Sequence, residues 1–261
     1  MFKEHTFSIC AYGESAYLEQ CIKSILRQSV KSNVIICTST PNAYIRKLSD
    51  KYNIKLYVRE GNPDIKDDWN FAYNAAGTHY VTLAHQDDVY NNKYTEELYR
   101  KIKKRKGFLI YYCGYRPVKN QKITTDANCM IRALLRSPMN IRFFADKSFF
   151  KLTTLALGNS ICCPSVTYDK KTLGDNIFTS SLKFNIDWDT FYKLACMKGS
   201  FIYNNKILMY YRIHDEATSK KFIDNSGRVK EDMYMFDKFW CHSISEFIMK
   251  FYKKAYKTYS D

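Results

Sequence analysis

From residue 7 to residue 84 the chain alternates short apolar runs with longer amphipathic ones at nearly even spacing. Residues 7–12 (F-S-I-C-A-Y), 34–37, 54–58 and 79–84 read as strands. They are almost continuously apolar, as strands covered on both faces are. Between the first two, residues 16–28 put Leu18, Cys21, Ile22, Ile25 and Leu26 on one helical stripe, with Ser15 as N-cap. Thr40 and Pro41 read as the N-cap and first residue of a helix to about Tyr52, and residues 67–76 form a third helix. The order β-α-β-α-β-α-β predicts an α/β domain with helices on both faces of a largely parallel sheet.

Beyond that unit the signals thin out. Residues 93–106 suit a helix, Gly107 breaks it, and 108–115 suit a strand. Residues 116–157 have weak periodicity and many basic and aromatic side chains, and read as an insertion over the site with short helices such as 129–135. Extended chain is expected at 159–168, a helix at 188–197, and strands at 201–203 and 207–213. The tail, 231–259, is helical in pattern, and Lys250, Lys253, Lys254 and Lys257 alternate there with Tyr252, Tyr256 and Tyr259. Such a helix suits an anionic membrane surface, and it equally suits a core-packing helix with solvated lysines. The expected division is one domain over 1–219 and a helical extension over 220–261.

The formal charge of +15 points to a polyanionic partner: nucleic acid, an anionic membrane face or phosphate-bearing substrates. The basic residues are scattered and no nucleic-acid-binding motif is present, so nucleic acid is not expected. Nine cysteines without a C-x-x-C pair imply a reducing compartment, no disulfide framework and no structural zinc. Cys10, Cys21, Cys37 and Cys196 fall in apolar patterns, where cysteine acts as a small hydrophobe. No stretch is long and apolar enough to span a membrane, and the N-terminus lacks the apolar core of a signal peptide. The expected location is cytoplasmic, with the inner face of the plasma membrane as a place of contact.

The fourth strand runs directly into His85-Gln86-Asp87-Asp88. Ligands of open α/β sheets bind just past the carboxyl ends of strands. Adjacent carboxylates there repel unless a cation or proton lies between them, and oxygen ligands suit Mg2+ or Mn2+ shared with substrate phosphates. Taken alone, the pair also suits a solvated acidic turn that caps the next helix.

Four motifs in order narrow the choice: A-Y-G-E at 11–14 with its following helix, H-Q-D-D at 85–88, I-D-W-D-T-F-Y-K-L at 186–194, and Y-Y-R-I-H at 210–214. Together they resemble the inverting family 2 glycosyltransferases of the GT-A fold, over residues 7–219. The resemblance implies a mixed, mainly parallel sheet, a nucleotide-diphosphate sugar donor such as a UDP-sugar, a lipid- or protein-linked glycan acceptor, and Mn2+ or Mg2+. It implies Asp87 and Asp88 as metal-holding acids, with His214 as a further metal ligand. Asp187 matches the general base that takes the acceptor's proton, with apolar Ile186 and Trp188 raising its pKa. Ala11, Tyr12, Glu14, Thr38, His85, Gln86 and Asp87 fall where the nucleotide binds, and Arg212 where the diphosphate does. The chain departs from the family where His85 replaces the first acid of D-x-D-D, where Thr38 or Ser39 replaces the acid ending the second strand, and where Ile186 replaces the Glu of an E-D pair. Other readings are an inactive relative acting as scaffold, a basic nucleic-acid-binding protein, and a nucleotidyltransferase, for which A-Y-G-E offers only one of the glycines a phosphate loop needs.

Overall fold

The alternation resolves into one mixed sheet. The computed structural model describes residues 1–103, 105, 107–120, 122–125, 127–214 and 226–256. Its first half forms β1 (Phe2–Ala11), α1 (Leu18–Leu26), β2 (Ser32–Thr38), α2 (Ala43–Tyr52), β3 (Lys55–Val58), α3 (Ile65–Ala75) and β4 (Tyr80–His85). Next come β5 (Val89–Tyr90), α4 (Tyr94–Ile102), β6 (Phe108–Lys119), β7 (Lys122–Ile123), α5 (Ala127–Arg136), α6 (Arg142–Ala145) and α7 (Ser148–Thr153). The chain continues through β8 (Val166–Asp169), α8 (Lys170–Leu173), α9 (Ile186–Cys196), β9 (Ser200–Ile213), α10 (Ser226–Asp237) and α11 (His242–Tyr256).

The strand order is 3-2-1-4-8-6-9-5, with β7 on β6. Strands β1 to β4 pair in parallel, β8 enters antiparallel between β4 and β6, and β9 lies parallel to β6 and antiparallel to β5. Register places Ala11 beside Thr38 and Cys10 beside His85, so the carboxyl ends of β1, β2 and β4 form one rim. Thr82 lies opposite Thr167, so the residues that lead into β8 reach that same rim. A buried polar chain fixes this register. His5 bonds Ser32 and Thr82, each at 2.9 Å, and Thr82 meets Thr167 at 2.6 Å. Burial pushes the His5 pKa down to about 3, so the ring serves as a neutral cross-link between strands.

Helices cover both faces. Phe7, Ile9, Ile22, Ile45 and Leu98 pack between the sheet and α1, α2 and α4; Tyr73, Leu83, Tyr112, Trp188 and Phe236 pack on the other side with α3, α9 and α10. Among the described residues, no helix is long and apolar enough to cross a membrane.

Several local expectations change. The α2 cap is Asn42, whose side chain accepts from the Ile45 amide, and Pro41 lies outside the helix. Ser15 does not cap α1; its hydroxyl accepts from Tyr17, and the helix begins at Leu18. The two strands expected at 201–213 are one long β9. Its irregular register lies opposite Gly114, where a Cβ would come within 2.8 Å of the Lys206 carbonyl. Extended chain at 159–168 contains a 3-10 turn at Cys163–Ser165. Cys21 and Cys37 are buried, but Cys196 is exposed on α9. The tail breaks into two helices after Asp237. One side of α11 enters the core through Met249, while Ile244, Phe247 and Phe251 are exposed. The expected boundary at 219/220 lies outside the described residues, as do Lys257 and Tyr259.

Candidate active site

The rim begins at the turn after β1, where Gly13 adopts φ +57°. Tyr12 and Gln86 exchange two hydrogen bonds, the Tyr12 amide to the Gln86 side-chain oxygen and the Gln86 amide to the Tyr12 carbonyl, both 2.9 Å. The Gly13 amide donates to Thr40 Oγ1 at 2.8 Å, and Thr38 Oγ1 accepts from the Thr40 amide at 3.0 Å. The turn is thus tied to both neighbouring strand ends. Ala11 and Thr38 are buried, whereas Tyr12 and Glu14 stand exposed, with Glu14 near enough to Tyr44 of α2 for its charge to act there.

Those acids sit in the tight turn between β4 and β5. The Asp88 amide closes it onto the His85 carbonyl at 3.2 Å. The last residues of β9 clamp the pair. The Arg212 amide donates to Asp88 Oδ1, and Arg212 Nε to the Asp87 carbonyl, both at 2.9 Å. His214 Nε2 meets Asp87 Oδ2 at 3.0 Å. The guanidinium of Arg212 is itself held by Gln20 at 2.6 Å and lies over the Tyr17 ring at 4.3 Å. Arg212 therefore orients the acids directly.

Asp88 is fully buried. Burial, and then the neighbouring Asp87 charge, push its carboxyl well above the usual range. Burial opposes the Asp87 charge too, but the His214 hydrogen bond and the nearby imidazoles hold that carboxyl below its usual value. Asp88 Oδ2 and His85 Nε2 are buried without a hydrogen-bond partner. An orphaned carboxylate oxygen and an orphaned ring nitrogen are costly unless something completes them. Ligand atoms of His85, Asp87 and Asp88 lie within 4.8 Å of one another, the one grouping of this kind among the described residues. The residues therefore fit a divalent cation. His85 also stacks on Trp69 of α3, with ring centroids 5.3 Å apart and planes 26° apart.

Asp187 lies in the first turn of α9, not at its cap, which is Asn185. Its Oδ1 accepts from the Trp188 amide and its Oδ2 from Asn159 Nδ2, both at 2.8 Å. Ile186 and Trp188 are buried against it. Burial raises its pKa to about 6, against the opposing pull of the Trp188 amide, Arg228 and Arg132. Asp189, by contrast, is paired with Lys193 and Lys238.

One short segment joins the two groups of acids. It starts at Asn159 on Asp187 and ends where the Pro164 carbonyl accepts from Tyr90 Oη at 2.6 Å, two residues past Asp88. Midway, the Cys162 thiol is raised first by burial and then by Asp88, with Asp187 also contributing, so both acids lie within its electrostatic reach.

Sequence reasoning missed Asn159, Trp69 and Asp68. Asp68 reaches from α3 to Ser39 at 2.9 Å and pairs with Arg59 at 2.7 Å, and so brings a carboxylate to the end of β2, where the strand's own sequence has none. Asp68 falls inside the helix expected over residues 67–76, but nothing local links it to Ser39.

Residues 6–164 match the protein family described as Glycosyl transferase family 2, which is more than half of the chain. The chain belongs to this family. A curated relative, Glycosyltransferase GlyA of Streptococcus pneumoniae serotype 4, is 28% identical over 102 residues, 37% of this chain but only 15% of GlyA. Among solved structures, the mannosyltransferase PcManGT from Pyrobaculum calidifontis, in complex with GDP-Man and Mn2+, has a TM-score of 0.66 at 14% identity, covering 90% of this chain and 63% of that one. TarS 1-349 of S. aureus has a TM-score of 0.60 at 14% identity, covering 94% of this chain and 69% of that one, and has also been solved with UDP-GlcNAc. These likenesses show that this family 2 chain has the GT-A fold. It is far shorter than GlyA and spans under two thirds of PcManGT.

Proposed function

We propose that the chain is a metal-dependent inverting glycosyltransferase that moves a sugar from a nucleotide-diphosphate donor, a UDP-sugar, to a hydroxyl of a glycan acceptor. The observation that carries this reading is the single segment from Asn159 to Pro164, which holds Asp187 beside the rim that carries the orphaned Asp88 oxygen. Two neighbours named with a nucleotide sugar, PcManGT and TarS, support a donor of that chemistry.

In this reading Ala11, Tyr12, Thr38 and Gln86 line the nucleotide end, and Trp69 and His85 add a stacked pair of rings there. Asp87 and Asp88 hold the cation, with His85 Nε2 and His214 as imidazoles within reach of the same acids. Imidazole nitrogens suit Mn2+ better than Mg2+, so Mn2+ is the favoured ion. When bound, such a cation neutralises charge gathering on the leaving diphosphate. Arg212 keeps the acid pair in place from β9. Asp187 accepts the proton of the acceptor hydroxyl. With a pKa of about 6 it is largely ionised at neutral pH, yet basic enough to take a proton as the bond forms. Asn159 and the Trp188 amide hold both of its oxygens, which fixes the direction of its free lone pairs.

The test pairs turnover with donor binding in the Asp187→Asn variant. Loss of a positioned base costs about 10²–10⁴ in rate. The variant should therefore lose sugar transfer while calorimetry with UDP-sugar and Mn2+ gives an unchanged affinity, and wild-type product should carry the inverted anomeric configuration by NMR. Turnover at the wild-type rate would remove Asp187 from the mechanism.

A further inference from the structure

Helix α5 is folded with its polarity reversed. Its buried positions are Cys129 and Arg136, whereas Met130, Ile131 and Leu134 face outward, Leu134 at 71% exposure. The inner place of Arg136 is built for it. Its guanidinium lies 4.9 Å from the Tyr115 ring centre and 5.7 Å from that of Tyr203, and it donates to the Ser160 carbonyl. An arginine so held fixes the rotation of the helix, and that rotation forces the leucine face into water. Neighbouring α6 and α7 continue the pattern, with Phe143 at 66% and Phe149 at 70% exposure. Phe143, Phe144, Phe150 and Phe149 follow one another in ring contact, so the two helices present a linked aromatic surface. Single exposed apolar side chains are ordinary, but so many within one short stretch mark a surface that meets something.

We propose that the outward face of α5, α6 and α7 is an interfacial surface that rests on an anionic lipid bilayer. Charge decides the occupant. Of the five basic residues in 127–158, Arg136 and Lys151 are buried, which leaves half-buried Arg132 and exposed Arg142 and Lys147 against one exposed acid, Asp146. Arg142 and Lys147 are exposed, and the Lys147 ammonium lies 5.3 Å from the Phe143 ring centre. Aromatic side chains edged by lysine and arginine match the layered chemistry of a bilayer surface, apolar below and anionic above. A second copy of this chain is the weaker candidate, because two molecules of charge +15 would meet basic face to basic face. The placement also has a use. The stretch after α7 leads within a few residues to Asn159, which holds Asp187, so a hydroxyl carried on a membrane lipid would arrive beside that carboxylate. The surface itself does not depend on the transfer reaction.

The full chain is floated with vesicles of phosphatidylcholine alone and of equal parts phosphatidylcholine and phosphatidylglycerol. Wild type should bind the anionic vesicles at least about tenfold more strongly, and less so as salt rises. The triple variant Leu134→Asp, Phe143→Asp, Phe149→Asp should lose about tenfold or more of that binding, with its melting temperature and Mn2+-supported nucleotide binding unchanged. The double variant Arg142→Glu, Lys147→Glu, which leaves the apolar face intact, should also weaken it. Both sets lie on exposed positions, and unchanged melting separates loss of docking from loss of fold. The inference is overturned if wild type ignores anionic vesicles, or if the triple variant binds them like wild type. It also falls if the loss appears only in a Phe247→Asp, Phe251→Asp variant of α11, or if sedimentation velocity shows a wild-type dimer that the triple variant abolishes.

Discussion

Asp88 and Asp187 are two carboxylates withdrawn from water, and they differ in their company. Asp88 has a second acid beside it, one oxygen taken by the Arg212 amide and the other facing no donor. Asp187 is flanked in sequence by apolar Ile186 and Trp188; both its oxygens accept from neutral donors, and two arginines act from a distance. Burial raises both, and at Asp88 the Asp87 charge adds to desolvation. Excess negative charge in a buried pair is relieved by a cation or a proton, whereas a lone carboxylate near a pKa of 6 exchanges its proton around neutrality. In the proposed reading, environment rather than residue type divides metal holding from proton transfer.

The sharpest way to break the contrast is to neutralise each acid in turn. Asp88→Asn should weaken Mn2+-supported binding of a UDP-sugar by about 100-fold or more in calorimetry, since losing even an outer-shell partner of a metal ligand costs about 10- to 100-fold. Asp187→Asn should leave that affinity untouched. Equal losses in the two variants would erase the distinction.

Stability separates the acids next. The folded state holds the Asp187 proton more tightly than the unfolded chain, so this residue's contribution is fully present at low pH. It is lost as pH rises from the ordinary carboxylate range through about 6. A shift from 3.8 to about 6 corresponds to at most about 3 kcal/mol at pH 8. Replacing the acid by an amide removes that cost, so Asp187→Asn should melt higher than wild type at pH 8, with the gain vanishing near pH 4. A variant that melts lower at pH 8 would mean the carboxylate is held more favourably than its burial implies.

The smallest expected effect concerns Asn159. Its amide supports the charged form of Asp187, so Asn159→Ala should raise the titration midpoint of that carboxyl by less than about one unit, since a lost hydrogen bond is worth about 1 kcal/mol. Carbon-13 NMR of the Asp187 carboxyl follows the midpoint directly. A downward move would show that Asn159 favours the neutral acid.

The two regions also differed in how much their sequence disclosed. Strands β1, β2 and β4 were legible because each carries an apolar run into the core, and β3, half-buried at most, because its short run falls at the spacing of the others; the H-Q-D-D turn announced itself by position. His85 was readable as a departure, but not its stack on Trp69, which depends on how α3 crosses the sheet. Around Asp187 the motif was visible while its partner Asn159 was not, since 28 residues and a change of direction separate them. Residues 116–157 resisted reading for a physical reason: α5 puts Arg136 inside and Leu134 outside, so its hydrophobic pattern points away from the core. The tail read as one helix because both of its helices carry apolar stripes, and the break after Asp237 contains no proline or glycine to mark it.

The central claim is that Asp187 is the proton acceptor, and the pH dependence of wild-type turnover at saturating UDP-sugar and Mn2+ tests it most directly. The account predicts a rate that climbs about tenfold per pH unit below the midpoint and levels off above about pH 6, the limb that reports an ionised base in the bound complex. A rate that stays flat from about pH 4.5 to 8 while the chain remains folded would contradict it.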